Sequence, residues 1–147
     1  MASDSVSIRE MRIDDYDAIV GLWQRSGLTF RQAGRDSLDS FKRQLETQGT
    51  LMHVAEQDGE IVGVAVGSHD SRKGWINRLA VEPSQRNKGV ASALVKALED
   101  GFREFGLPVY SALISSGNKG SISLFNGLGY SCDEDVKYFS KRLGDDL

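Results

Sequence analysis

Apolar residues recur along this chain with two different spacings, and the changes from one to the other mark its elements. Val6 to Met11 predicts a short strand. Asp14 and Asp15 then open a helix, acids in the first turn being favoured by the helix dipole, and Tyr16, Ile19, Val20 and Trp23 fall on one face of it. Arg25 to Arg35 is a connecting loop holding Gly27, Gly34 and three arginines. Asp36 or Ser37 is placed to cap a second helix with Leu38, Phe41 and Leu45 as its apolar stripe, ended by Gly49.

The period then shortens. Leu51 to Glu56 and Ile61 to Val66 predict two strands joined by the Asp58-Gly59 turn, the second apolar on both faces and therefore central in its sheet. After a polar turn from His69 to Gly74, Trp75 to Val81 predicts a third strand of the same antiparallel meander and stops at Pro83. Leu94, Val95, Leu98, Phe102 and Phe105 then stripe a long helix that begins near Val90 and ends at Gly106 and Pro108. Val109 to Ile114 predicts a short buried strand, parallel to the third of the meander because a helix carries the chain back to it. Ser121 to Leu128 predicts a short helix with Leu124, Phe125 and Leu128 inward. Val136 to Leu143 alternates as a closing strand. The order βααβββαβαβ implies an α/β (α+β) fold, with a mixed, mostly antiparallel twisted sheet and helices on both faces.

Composition narrows the function classes. At 147 residues the chain suits one domain, 1–147, with a single core. Net charge is −3, so nothing draws the whole molecule to nucleic acid or to an anionic membrane. No run of about 18 apolar residues is present, and Met1 to Arg12 has no apolar signal core. Cys132 stands alone, which rules out an internal disulfide and points to a cytoplasmic setting. No His/Cys cluster suggests a metal.

The candidate chemistry lies between Leu79 and Ala91. A strand end, a short polar loop with Arg86, Lys88 and Gly89, and the start of a helix make a seat for an anion: the first helical amides have no partner within the helix, and the dipole is positive there. Glycine at 89 lets the main chain approach a ligand closely, and Arg86 and Lys88 add charge-assisted hydrogen bonds. The run lacks the glycine–lysine–hydroxyl order of a Walker loop and the three glycines of a dinucleotide fingerprint.

Arg86-Asn87-Lys88-Gly89-Val90-Ala91 resembles the Arg/Gln-x-x-Gly-x-Gly/Ala pattern of the GNAT (GCN5-related) N-acetyltransferases. Asn118, Ser121, Leu124, Gly129 and Tyr130 resemble that family's second pattern, Asn-x-x-Ala/Ser-x-x-Leu/Phe-Tyr-x-x-x-Gly-Phe. The order of elements is GNAT-like too. The resemblance implies acetyl-coenzyme A as co-substrate, with its pyrophosphate against the amides from Arg86 through Asn87, Lys88, Gly89 and Val90 to Ala91. Its pantetheine arm would lie along Leu79, Ala80 and Val81, a backbone N–H near Leu79 would polarise the thioester carbonyl, and Asn118 would hold the pantetheine or its neighbouring loop. The acetyl group would pass directly to the amine of a small molecule or protein, without an acyl-enzyme. A module that binds the coenzyme with little or no turnover is the alternative, and the open sheet edges allow a homodimer.

One position departs from the pattern. Phe125 stands where many family members carry a tyrosine that protonates the leaving thiolate, and phenylalanine donates no proton. Tyr138, a water or no protein acid at all would replace it, since a thiol of pKa near 8.5 leaves as thiolate with limited help. Glu82, Asp70, His53 and His69 are candidate bases without an assignment. Arg25, Arg31 and Arg35 either read an acidic acceptor or are solvated loop charges, the second being the commoner use.

Overall fold

The structure is a computed structural model that describes residues 6–28 and 30–144. Its strands are β1 (Ser7–Glu10), β2 (Thr50–Gln57), β3 (Glu60–His69), β4 (Gly74–Val81) and β5 (Tyr110–Ala112). Its helices are α1 (Tyr16–Ser26), α2 (Leu38–Glu46), α3 (Val90–Glu104) and α4 (Lys119–Gly127). The sheet runs in sequence order, antiparallel from β1 to β4, with β5 parallel to β4. A helical crossover is what a parallel neighbour demands, and α3 supplies it.

Strand alternation sorts the core into two halves. Met52, Val54, Val64 and Val66 meet α1 and α2 through Ile19, Leu22, Trp23 and Phe41. Ala55, Val62, Ala65 and Ile76 meet α3 and α4 through Leu94, Leu98, Phe102 and Phe125. Helix α3 lies close to the sheet because glycines face it. A Cβ on Gly63 would stand 2.9 Å from Leu94, and one on Gly74 would stand 2.6 Å from the Phe102 ring. Phe102 is fully buried and has nowhere to retreat. We expect Gly74→Ala to cost about 2 kcal/mol through this overlap, read as a lowered midpoint in urea; an unchanged midpoint would refute the close packing.

At the sheet's other edge, both Asp15 oxygens accept from Arg9, at 2.9 and 3.0 Å, and Oδ2 also accepts the Arg12 amide at 2.7 Å. The Arg9 hydrogen bond, opposed by burial, holds the Asp15 pKa below the ordinary aspartate value. The unfolded chain therefore binds the proton more readily, and this contribution is complete above about pH 4 and disappears as pH falls through the lowered native value. The margin of the wild type over Asp15→Asn in melting temperature should narrow as pH drops below about 4; a margin independent of pH would contradict it.

Several expectations require correction. Val136–Leu143 forms no strand. Val136, Tyr138, Phe139 and Leu143 are 67–89% exposed. Alternation supplies an apolar face, but a strand also needs an edge for its amides, and β5 offers only three residues. The order of elements among the described residues is therefore βααβββαβα. The strand expected at Val109–Ile114 shrinks to Tyr110–Ala112, half-buried, with Val109 and Leu113 exposed. Ile13–Asp15 is a 3-10 turn rather than the first turn of α1. Leu38, Phe105 and Leu128, placed on apolar stripes by their spacing, are exposed. Of the two candidate caps for α2, Ser37 accepts the Ser40 amide, and Asp36 is used elsewhere.

Candidate functional site

The sheet divides along β4. Pairing with β5 runs only from Gly74↔Tyr110 to Ile76↔Ala112, and a bulge falls in the β3–β4 ladder between Val66 and Gly67, taking in Asn77. A bulge bends its strand and increases the local twist. Beyond it, Leu79, Ala80 and Val81 pair with β3 on one side and with no described strand on the other. Alternate main-chain groups of this stretch face the open side, so an extended ligand can add to it as a strand does.

The chain then turns sharply. Pro83–Gln85 is a 3-10 turn, Asn87 sits at φ 64° and Gly89 at φ 83°. Both are in the left-handed region, which glycine enters freely and asparagine better than most. Gly89 is the N-cap of α3 and offers no side chain to its amides; the Ala93 N–H closes the first turn on the Gly89 carbonyl. The amides ahead of Ala93 therefore lie outside the helical ladder. Nothing stands within 4 Å of where a Gly89 Cβ would be, so the approach is open. Arg86, Asn87 and Lys88 are exposed around it. This open strand edge leads directly into an uncapped helix start.

Asn118 is the N-cap of α4, where its Oδ1 accepts the Ser121 amide at 3.1 Å. Its clear local role is that cap. Phe125 is buried, edge-on to Tyr130 at 4.9 Å. The Tyr130 hydroxyl donates to Glu99 at 2.6 Å, and burial, reinforced by that carboxylate, pushes its pKa up, so it makes a poor acid at neutral pH. Tyr138 is largely exposed.

The candidate bases are mostly committed. Glu82, next to the open edge, accepts Arg25 Nε through both oxygens, at 3.0 and 2.9 Å, which ties the end of α1 to the end of β4. Asp70 accepts the amides of Lys73 and Arg72, and those bonds lower its pKa. His53, in mid-strand, has its pKa lowered by burial and stays neutral. His69 accepts the Ser71 amide and packs on Phe105, ring centres 4.3 Å apart. Each histidine has one buried nitrogen with no partner among the described residues, His53 Nδ1 and His69 Nε2.

One pair escaped the sequence reading altogether. Asp36 is buried and its Oδ2 accepts Arg78 Nη2 at 2.8 Å and the Arg31 amide at 2.6 Å, while its carbonyl accepts the Tyr16 hydroxyl at 2.8 Å. The Arg78 guanidinium lies 4.8 Å from the centre of the Trp23 ring. Burial, partly offset by Asp36, lowers the Arg78 pKa. The pair fastens the α1–α2 connection to β4 one residue before Leu79. Trp23, Asp36, Phe41, Gln44, Asn77 and Arg78 line a cavity of about 80 Å³ there. Nothing local signals an ion pair between residues 42 apart.

Comparison with known proteins identifies the family. The family model described as acetyltransferase (GNAT) family matches residues 9–130. The chain is 32% identical over 141 residues to acetyltransferase SG1711 of Sodalis glossinidius, and equally to acetyltransferase ECA0875 of Pectobacterium atrosepticum. Each alignment covers 96% of this chain and 98% of the relative. Among solved structures, AAC(6')-Iy in complex with the bisubstrate analog CoA-S-monomethyl-acetylneamine superposes with a TM-score of 0.79 at 24% identity, over 94% of this chain and 99% of that one. The PaiA N-acetyltransferase of Thermoplasma acidophilum in complex with coenzyme A superposes with a TM-score of 0.79 at 16% identity, over 88% and 92%. At such identities the two superpositions establish the fold. Among the described residues no helix is long and apolar enough to cross a membrane, and no group of three or more His, Cys, Asp or Glu is placed to hold a metal.

Proposed function

Because this chain belongs to the acetyltransferase (GNAT) family, we propose that it transfers an acetyl group from acetyl-coenzyme A directly to an amine. The observation that carries this reading is the open edge at Leu79–Val81 running into the uncapped start of α3. The pyrophosphate rests on the amides from Arg86 to Ala91, with Arg86 and Lys88 beside it, and the pantetheine arm lies along Leu79, Ala80 and Val81. A main-chain N–H near Leu79 donates to the thioester carbonyl and stabilises the oxyanion as the amine attacks. Asn118 shapes the adjoining loop by capping α4.

The proton balance favours an acceptor that is easily deprotonated. Freeing a lysine side chain of pKa about 10.4 costs about 4.6 kcal/mol at pH 7, and an α-amino group of pKa about 8 costs about 1.4 kcal/mol. Glu82 is already held by Arg25, so the enzyme acts on amines that need little help. The thiolate leaves without a protein acid, since Phe125 cannot donate. Cys132, exposed beyond α4, takes no part. The same unit serves as a single domain in the cytoplasm.

The test is thiol release from acetyl-coenzyme A over a panel of amines, alongside coenzyme A binding. Turnover with any amine supports the reading. Tight coenzyme binding with no release from any of them would favour the alternative, a coenzyme-binding module, to which Phe125 lends weight.

A further inference from the structure

The cavity beside the open edge shares a wall with a second one. Asp36 and Gln44 line the first, and their neighbours Arg35 and Arg43 line the second, so α2 and the turn before it separate the two. The second cavity is larger, about 530 Å³, and is completed by Gly34 and by Lys141, Arg142 and Leu143 of the C-terminal segment. Every charged residue lining it, among the described residues, is a cation, in a protein whose net charge is −3. Among the described residues Arg9, Arg25, Arg72, Arg78 and Arg103 each pair with a carboxylate, and Arg35, Arg43 and Lys141 do not. Like charges gathered from three separate parts of the chain repel one another, and an anion between them relieves that repulsion.

We propose that this cavity receives the anionic part of the acceptor, so that the acceptor is an amine bearing a carboxylate or a phosphate group. The inference rests on the acetyl-transfer reading and adds the substrate class to it. The reacting amine sits at the β4 edge by Asn77 and Arg78, and the acid group reaches past α2 to Arg35, Arg43 and Lys141. Guanidinium groups suit this task because they grip carboxylate and phosphate through two parallel hydrogen bonds. A polycationic amine meets like charge in the same place.

The test is calorimetric binding of three probes to the full chain saturated with coenzyme A, so that the amides of α3 are already occupied. The probes are the peptide amide Ala-Ala-phosphoserine, whose amine and phosphate lie about 10 Å apart when extended, enough to span α2, its unphosphorylated form, and spermidine. The phosphate-bearing amine should bind at least about tenfold tighter than the other two, with a preference that shrinks as salt rises. Arg35→Gln with Arg43→Gln should remove that preference; both side chains are exposed, and an unchanged melting temperature shows that the variant folds. Equal affinities, tighter binding of spermidine, or a preference that survives in the double variant would overturn the assignment. The titrations are repeated without coenzyme A. If coenzyme A fails to bind while the arginine-dependent phosphate preference remains, the acetyl-transfer reading falls and the anion cavity stands. If coenzyme A binds and the preference is absent, only the cavity assignment falls.

Discussion

Gly89→Asp should weaken coenzyme A binding about 100-fold and leave the fold in place. The Cβ at this position enters open space, so the substitution creates no clash. The backbone at φ 83° is one that aspartate adopts at a cost of about 1 kcal/mol. The effect on the ligand is far larger. A carboxylate at the N-cap of α3 accepts the very amides that would face the pyrophosphate, and it sets a negative charge about 5 Å from the nearer phosphate, which carries a single negative charge. At an effective dielectric constant near 20 such a contact costs about 3 kcal/mol, which is the factor of about 100. Calorimetry gives the affinity and a thermal melt the fold. Retained affinity in a folded variant would remove the pyrophosphate from this turn and with it the proposed orientation of the thioester.

Asp36→Ala should destabilise the protein by about 3 kcal/mol. The substitution takes the Asp36 carboxylate from the Arg78 guanidinium, which lies 18% exposed under the Trp23 ring, and takes an acceptor from the Arg31 amide. Breaking a buried charge pair from one side costs more than the pair contributes, because the partner keeps its desolvation penalty. Arg78→Met in the same background should therefore restore a good part of the loss, a methionine chain filling the space against Trp23 without a charge. A urea denaturation series over the two single variants and the double variant reads this coupling. Losses that simply add would show that the pair does not act as a unit. The acceptor KM should rise in Asp36→Ala, since the α1–α2 connection walls the cavity next to the β4 edge.

The exposed C-terminal segment shows where pattern reading breaks down. Val136, Tyr138 and Phe139 have the composition of a strand, and β5 is too short to receive one. The three arginines expected to share one loop show the same limit. Arg25 lies in the last turn of α1 and holds Glu82, Arg31 donates its backbone amide to Asp36, and Arg35 lines the cationic cavity. Their spacing alone does not separate these roles.

What the chain's order of residues determined by itself was everything governed by near neighbours. The helical stripes, the turn at Asp58-Gly59, the strand stop at Pro83 and the free backbone of Gly89 follow from periodicity, steric freedom and missing amides, all of which act within a few residues. Packing alone decided where β4 parts from β5, which carboxylate holds Arg78, and that Arg35, Arg43 and Lys141 line one cavity. Those outcomes depend on groups from separate parts of the chain meeting in space, and the energy of such contacts exists only once the fold has brought them together.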